Sequence, residues 1–451
     1  MNLKKSGMNM KSMKNQQIDY SDRICIVGGG AAGLMAACIA GGFGKQVVLF
    51  EKNRSEKKLE SETFFDNAYL GKKLLITGKG RCNLTNECDR ETFMKNVPRN
   101  SKFMFAAFSA FPPAAVMDFF ESRGLYLKTE RGNRVFPTSD KALDVLRVLK
   151  EELKQTNCKI INKKIVSVCA DDGKISCITD EDGNSYITQN VILCTGGLSY
   201  PVTGSDGDGL EFSKVLGHTV TEIRPSLVPI VSNGSFCKRL QGLSLKNVKV
   251  TLRDDKKGKN VYSELGEMLF THFGVSGPLI LSASAHIDGD PKDYSLHIDM
   301  KPALDEKTLD DRLLSDFSKN QNKDYKNALS LLLPSKMVPV FADISGIDPE
   351  LKVNSITKKQ RNVIISLLKD IKIPVDGFRP IEEAIITRGG VKTSEIKPST
   401  MESKLYEGLF FAGEMIDVDA YTGGFNLQIA FSTAYLAAKS ASDKLDKGET
   451  I

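Results

Sequence analysis

Apolar residues along this chain fall into three successive patterns. Near the start, "RICIVGGGAAGLMAACIAGGFGKQVVLFEKN" predicts a strand over residues 23–27, a glycine turn, a helix over 31–40, and a second strand over 46–50 that ends on an acid, Glu51. From about residue 200 to 301, "LVPIVS", "VKVTLR" and "YSLHIDM" have strand composition. From 302 to about 371 the pattern turns helical: "LDDRLLSDFSK", "YKNALSLLL" and "KKQRNVIISLLKD" place apolar residues three and four apart, stripes that read as core.

The first pattern carries chemistry. Gly28, Gly30 and Gly33 fill a G-x-G-x-x-G spacing between a strand and a helix. In that context the first glycine permits a tight turn, the second lets backbone approach a pyrophosphate, and the third lets helix and strand pack closely. Free N–H groups and the dipole at the helix N-terminus favour the phosphate charge. Glu51, eighteen residues beyond Gly33, stands where a carboxylate accepts hydrogen bonds from both hydroxyls of an adenosine ribose. A dinucleotide is the expected ligand, as NAD or FAD.

Three further segments bear on that choice. "VILCTGGLSYPVTGSDGDG" (191–209) is an apolar strand running into Thr195, Gly196 and Gly197. "YEGLFFAGEMIDVDAYTGGFNLQIAFSTAYLAA" supplies a strand over 409–412, Gly413 and Glu414, a loop with Asp417, the Gly423–Gly424 pair and a helix over about 427–438. "GKKLLITGKGRCNLTN" (71–86) sets Lys72, Lys73, Lys79 and Arg81 among Gly71, Gly78 and Gly80, with Cys82 and Asn83 following. Its glycines allow close approach to a cofactor. Its cations suit phosphates or substrate.

The stretches "GGGAAGL", "GKGRCNLTN", "TGGLSYPVTGSDGDG", "THFGVSGP", "TRGGV" and "AGEMIDVDAYTGGFNLQ" together resemble the FAD-binding oxidoreductases of the aminoacetone oxidase-like type. That family includes a bile-acid 3-dehydro-Δ4,6-reductase and a ribosomal RNA dihydrouridine synthase. The likeness runs from about residue 23 to 438 and selects FAD over NAD. It implies a cofactor site drawn from Gly28, Gly30, Ala31, Ala32, Gly33, Glu51, Lys52, Lys73, Gly78, Gly80, Arg81, Asn83, Val168, Thr195, Gly196, Gly197, Arg388, Gly413, Glu414, Asp417, Gly424, Asn426 and Leu427. The chain departs from the family in its N-terminal tail and in residues 54–69, which read as an insertion.

The predicted fold is α/β. A discontinuous Rossmann-like FAD-binding domain (20–199 and 378–448) holds an inserted β-rich domain (200–301 and 371–377) with a small helical cap (302–370), and residues 1–19 are a disordered tail. A disulfide reductase is a poor match, since Cys82 and Cys88 have the wrong spacing and no second G-x-G-x-x-G sits between a strand and a helix. The nine cysteines are odd in number and contain no C-x-x-C pair, which fits reduced thiols in a cytoplasmic protein and no metal site. No apolar run of spanning length is apparent, so no membrane partner is expected. A net charge of +6 is a mild excess, compatible with an anionic cofactor or a nucleic acid.

The expected chemistry is reduction of a C=C bond conjugated to a carbonyl, with NAD(P)H as transient electron donor. Such a reaction needs an acid, for which Cys82 comes first and His272 second, and Arg81 to orient the substrate. His218, His286 and His297 read as structural. Uridine in large-subunit ribosomal RNA is the favoured substrate, with a small-molecule enone as alternative. An amine- or aminoacetone-type oxidase, and a flavin-holding RNA-binding protein without turnover, are the remaining readings.

Overall fold

A computed structural model describes residues 16–54, 69–234 and 236–448. It divides into two compact units, Met1–Ile223 with Gly389–Ile451, and Arg224–Arg388.

The first unit is built on a parallel five-stranded sheet. In spatial order its strands are Leu409–Phe411, Val191–Leu193, Ile24–Val27, Val47–Phe50 and Lys159–Ile161. The first four of these are fully buried along their length, as continuous apolar runs covered on both faces should be. Helix Ala31–Gly42 connects the strands on either side of it, and the 24-residue helix Phe425–Gly448 packs on it. Strand Ile24–Val27 lies between Val47–Phe50 and Val191–Leu193, so the chain order reverses beside its C-terminal end. Open α/β sheets bind ligands at such switch points.

A four-stranded sheet and a three-stranded one complete this unit. Gln17–Asp19 pairs in parallel with Ser185–Ile187, which corrects the expected tail at its last residues. Residues 1–15 and 55–68, including nearly all of the expected insertion, lie outside the described residues. Ser101–Glu121 is long and apolar enough to span a bilayer, at a mean hydropathy of 1.5, which corrects the expectation of no run of that length. It is broken at Phe111–Pro112 into Phe105–Ala110 and Pro113–Glu121, and Met104, Phe108, Val116 and Phe120 sit in the core.

The second unit is an antiparallel seven-stranded sheet with helices. Its strand order is Ile371–Pro374, Tyr294–Asp299, Ser244–Asp254, Lys259–Thr271, Gly274–Ser276, Ile230–Val231 and Gly377–Phe378. Val248, Val250 and Leu252 alternate inward along one strand. Helices Glu306–Lys319, Tyr325–Leu329 and Lys358–Lys369 form where the apolar period predicts them, and a fourth, Val338–Ser345, lies in the same segment outside the three predicted stretches. The first starts at an Asp305 cap on the Thr308 N–H, and the last at a reciprocal Thr357–Gln360 capping box. Leu313, Tyr325, Phe341 and Leu368 share one apolar cluster with Val250, Leu252 and Leu296, so these helices and the sheet form one core.

The division between units falls later in the chain than expected. Residues 200–223 belong to the first unit: helix Asp208–Val215 packs on Ile165–Asp171, the His218 ring bonds Ser403, and Val220 bridges Val391. Residues 378–388 belong to the second, where Ile386–Arg388 pairs with Arg224–Ser226.

Because the helices share the sheet's core, Phe341→Ala should destabilise the whole second unit by about 3–5 kcal/mol. Urea unfolding followed by circular dichroism checks this. Loss of helical signal with the β transition left in place would mean a detachable helical layer.

Candidate functional site

The turn after strand Ile24–Val27 uses its three glycines for three different reasons. Gly28 has φ +105°, and a Cβ there would lie 2.6 Å from the Cys194 carbonyl oxygen. A Cβ on Gly33 would lie 1.8 Å from the Gly28 oxygen, so the helix can touch the strand only through a bare Cα. Beside Gly30 a Cβ would meet nothing within 4 Å. Gly30 caps the helix with no side-chain hydrogen bond, which leaves the amides of Ala31, Ala32 and Gly33 without a side-chain cap.

Glu51 is held rigidly at the end of the next strand. It is 6% exposed, and its carboxylate accepts from the Gly29 N–H at 2.8 Å and the Asn53 N–H at 2.7 Å. Burial pushes its carboxyl up from the usual range, against the pull of those two N–H groups. Each oxygen keeps lone-pair capacity for a further donor. Lys52 turns away from this carboxylate to pair with Asp206 and with Asp208 at 2.7 Å. Asn53 donates to the Thr203 carbonyl at 3.0 Å, tying the 201–208 segment to the strand end.

The basic loop is anchored, and most of its cations are spent internally. The Gly71 N–H bonds the Gly29 carbonyl at 2.8 Å, which brings the loop onto the glycine turn. Lys73 pairs with Glu414 and bonds Ser199 at 2.6 Å, while the Ser199 hydroxyl donates to Glu414 at 2.9 Å. Three separate sequence segments thus meet at one ion pair. Arg81 pairs with Glu130 and Asp140 and lies over the Phe136 ring, 4.1 Å from its centroid. The hydrogen bonds it donates to those two carboxylates raise its already high pKa further. Lys72 bonds Asn53, and Lys79 is exposed.

Cys82 lies in the core. Its side chain is fully buried and its thiol is pushed up to about 12, chiefly by burial. A fully buried thiol with a raised pKa is a poor proton donor, which counts against the role expected of it. Next to it, Asn83 holds a buried side-chain oxygen with no hydrogen-bond partner. Gly78 and Gly80 take positive φ, and a Cβ on Gly78 would approach the Asn83 nitrogen to 3.2 Å.

The returning C-terminal segment closes on the same loop. A Cβ on Gly424 would lie 2.2 Å from the Thr85 oxygen and 3.0 Å from Asn83 Oδ1, so helix Phe425–Gly448 begins beside Asn83. A Cβ on Gly413 would lie 2.8 Å from Ala32 Cβ, and the Gly413 N–H bonds Thr433 at 2.9 Å. Asn426 folds back onto the Ala420 N–H and carbonyl, Leu427 is partly buried against the core, and burial raises the Asp417 carboxyl. At the crossing strand, Gly196 and Gly197 pack on Ser205, and Thr195 Oγ1 is buried without a partner.

Sequence reasoning missed several anchors. Gln428 is fully buried, joins Thr85 and donates to the Phe111 carbonyl at 2.8 Å; its signal is an amide between Leu427 and Ile429 in the apolar first turns of the helix. Arg99 grips the buried Asp419 through both carboxylate oxygens at 2.7 Å. Ser199 completes the Lys73–Glu414 cluster. Val168 is a core residue paired with Ile178, so its side chain is not open to a ligand. Arg388 belongs to the second unit, where it bonds the Ile287 carbonyl and pairs with Asp288. His272 also belongs there, exposed at a hairpin tip with its ring edge-on to Phe273.

Fold and turn together define a Rossmann-type FAD-binding protein. Residues 22–440 match the family described as HI0933-like protein Rossmann domain, and the chain belongs to that family of FAD-dependent oxidoreductases. It is 30% identical over 429 residues to a 3-dehydro-bile acid delta(4,6)-reductase of Clostridium scindens, covering 94% of this chain and 100% of that protein. It is 27% identical over 416 residues to the ribosomal RNA dihydrouridine synthase of Escherichia coli, covering 92% and 96%. A quinol fumarate reductase chain of E. coli shares the fold at a TM-score of 0.51 and 15% identity, over 96% of this chain and 71% of that one.

The residues present fit FAD. The open face at Gly30 and the uncapped amides suit a diphosphate, Glu51 has lone pairs for a ribose, and the buried acceptors of Asn83 and Thr195 await donors. Gly30→Ala should keep the apo fold and weaken FAD binding about tenfold, ~1.4 kcal/mol, whereas Gly33→Ala should lose the folded protein. Melting curves and flavin titration separate the two; equal stability for both variants would contradict the assigned roles. Native protein treated with iodoacetamide at about pH 8 should leave Cys82 unmodified, since so little thiolate forms there. Peptide mapping that found it alkylated would contradict its burial.

Proposed function

We propose that this protein reduces a C=C bond conjugated to a carbonyl, taking electrons from NAD(P)H through FAD. One observation carries the reading: relatives matching nearly the whole chain are named for saturating such a bond, in a bile acid and in uridine. Bound FAD supplies the hydride acceptor and donor that the conjugated carbon requires. The chain's own residues do the rest. The glycine turn and Glu51 hold the adenosine diphosphate half, and the Lys73–Glu414–Ser199 cluster fixes the loop and the return segment relative to each other. Of the two acids expected from the sequence, His272, an exposed ring at a hairpin tip, is the candidate tested below.

Uridine in large-subunit ribosomal RNA is the proposed substrate, supported by the +6 charge and the exposed Lys79. A second reading, reduction of a small 3-oxo-Δ4 steroid or bile acid, is favoured by the internal pairing of Lys73 and Arg81, which leaves fewer cations for phosphates.

Deleting the gene should remove dihydrouridine from large-subunit ribosomal RNA, measured by mass spectrometry, and purified holoprotein with NAD(P)H should restore it on that RNA. Unchanged dihydrouridine, alongside NAD(P)H-dependent reduction of a 3-oxo-Δ4 steroid, would select the second reading. His272→Ala should lower substrate-dependent flavin reoxidation by about 10²-fold or more with FAD content unchanged, the scale of a lost general acid. Full activity in that variant would remove His272 from the mechanism.

A further inference from the structure

We propose that Cys169 and Cys177 form a reversible disulfide across one hairpin of the first unit. The hairpin pairs Ile165–Asp171 with Lys174–Asp180 through a two-residue turn, Asp172–Gly173, both at positive φ (+45° and +73°). Asp-Gly is a favoured pair for such a turn, and the turn sets the register. Next to it, Asp171 faces Lys174 and Ala170 faces Ile175. Simple continuation would set Cys169 opposite Ser176. A bulge intervenes, and the register moves by one residue so that Cys169 faces Cys177.

Directly opposed residues of an antiparallel pair point to the same side, with Cα atoms about 4.5–5.5 Å apart. That interval lies within the ~4.4–6.8 Å range disulfides span, so bonding needs no strand to separate. Burial, and then hydrogen bonding with the facing Cys177, push the Cys169 thiol up. Both side chains are partly exposed, and Ile165–Asp171 is the edge strand of its sheet. By contrast Cys25, Cys38, Cys82, Cys158, Cys194 and Cys237 are buried, and Cys88 is half-buried elsewhere in the fold. The two facing thiols are therefore the pair a small oxidant reaches.

The oxidant is a peroxide. One sulfur takes an oxygen as the peroxide O–O bond breaks and water leaves. The second sulfur then displaces that oxygen as another water, so two thiols and one hydrogen peroxide become one disulfide and two waters. A dithiol reductant reverses the change by exchange.

Holoprotein with oxidised flavin, treated with hydrogen peroxide, should lose two titratable thiols when denatured without reductant. Trypsin cuts after Lys174, so mapping should then find a non-reduced peptide pair joining Cys169 to Cys177, abolished by dithiothreitol. Cys169→Ser and Cys177→Ser should each abolish the joined pair. Both cysteines recovered as free thiols, each oxidised separately, or either joined to another cysteine would overturn the proposal, as would a joined pair persisting in either variant.

Discussion

The first unit depends on one close contact, that between the Gly28 carbonyl and the Cα of Gly33, where a methyl group would sit 1.8 Å from oxygen. That contact fixes how helix Ala31–Gly42 leaves the sheet, and so aims its first amides at the switch point beside strand Ile24–Val27. Other elements are built against the same few atoms. The Cys194 carbonyl abuts Gly28, Gly413 abuts Ala32, and the Gly71 N–H reaches the Gly29 carbonyl. Segments distant in sequence therefore converge because each supplies a bare Cα or a backbone amide where a side chain would not fit.

Charge in this unit is organised to position the chain before it is offered to a ligand. Lys52 is held by Asp206 and Asp208, Lys73 by Glu414, Arg81 by Glu130 and Asp140, and Arg99 by Asp419. The pairs that include a largely buried carboxylate, Glu414 and Asp419, lose most where one partner is removed, because the remaining charge is stranded away from water. A count of Lys and Arg along the basic loop thus overstates the positive field it presents. The buried, unpartnered oxygens of Asn83 and Thr195 are a sharper sign of a binding site than the cations around them.

Much of this was legible in the sequence wherever one local constraint dominates. The glycine spacing and the acid ending the second strand predict their elements within two residues of where they form, and the apolar period of 302–370 predicts three of its four helices, one of them ending four residues earlier than its stripe. The helix after Gly424 was foreseen but runs ten residues further, to Gly448, since its last turns keep an apolar stripe while turning polar overall. What escaped depends on partners far along the chain. Gln17–Asp19 reads as a polar tail until Ser185–Ile187 offers its edge, and residues 200–223 join the first unit through contacts with Ser403 and Val391. Cys82 looked reactive among glycines and cations, yet nothing in "GKGRCNLT" reveals that its side chain turns into the core.

The account's central claim is that the glycine turn and Glu51 bind the adenosine diphosphate half of FAD. The direct measurement is calorimetric titration of apo-protein with FAD and, in parallel, with FMN, which carries the same flavin without the adenylate. FAD should bind at least about 100-fold more tightly, a difference of ~2.7 kcal/mol or more. Equal affinity for the two would contradict the claim.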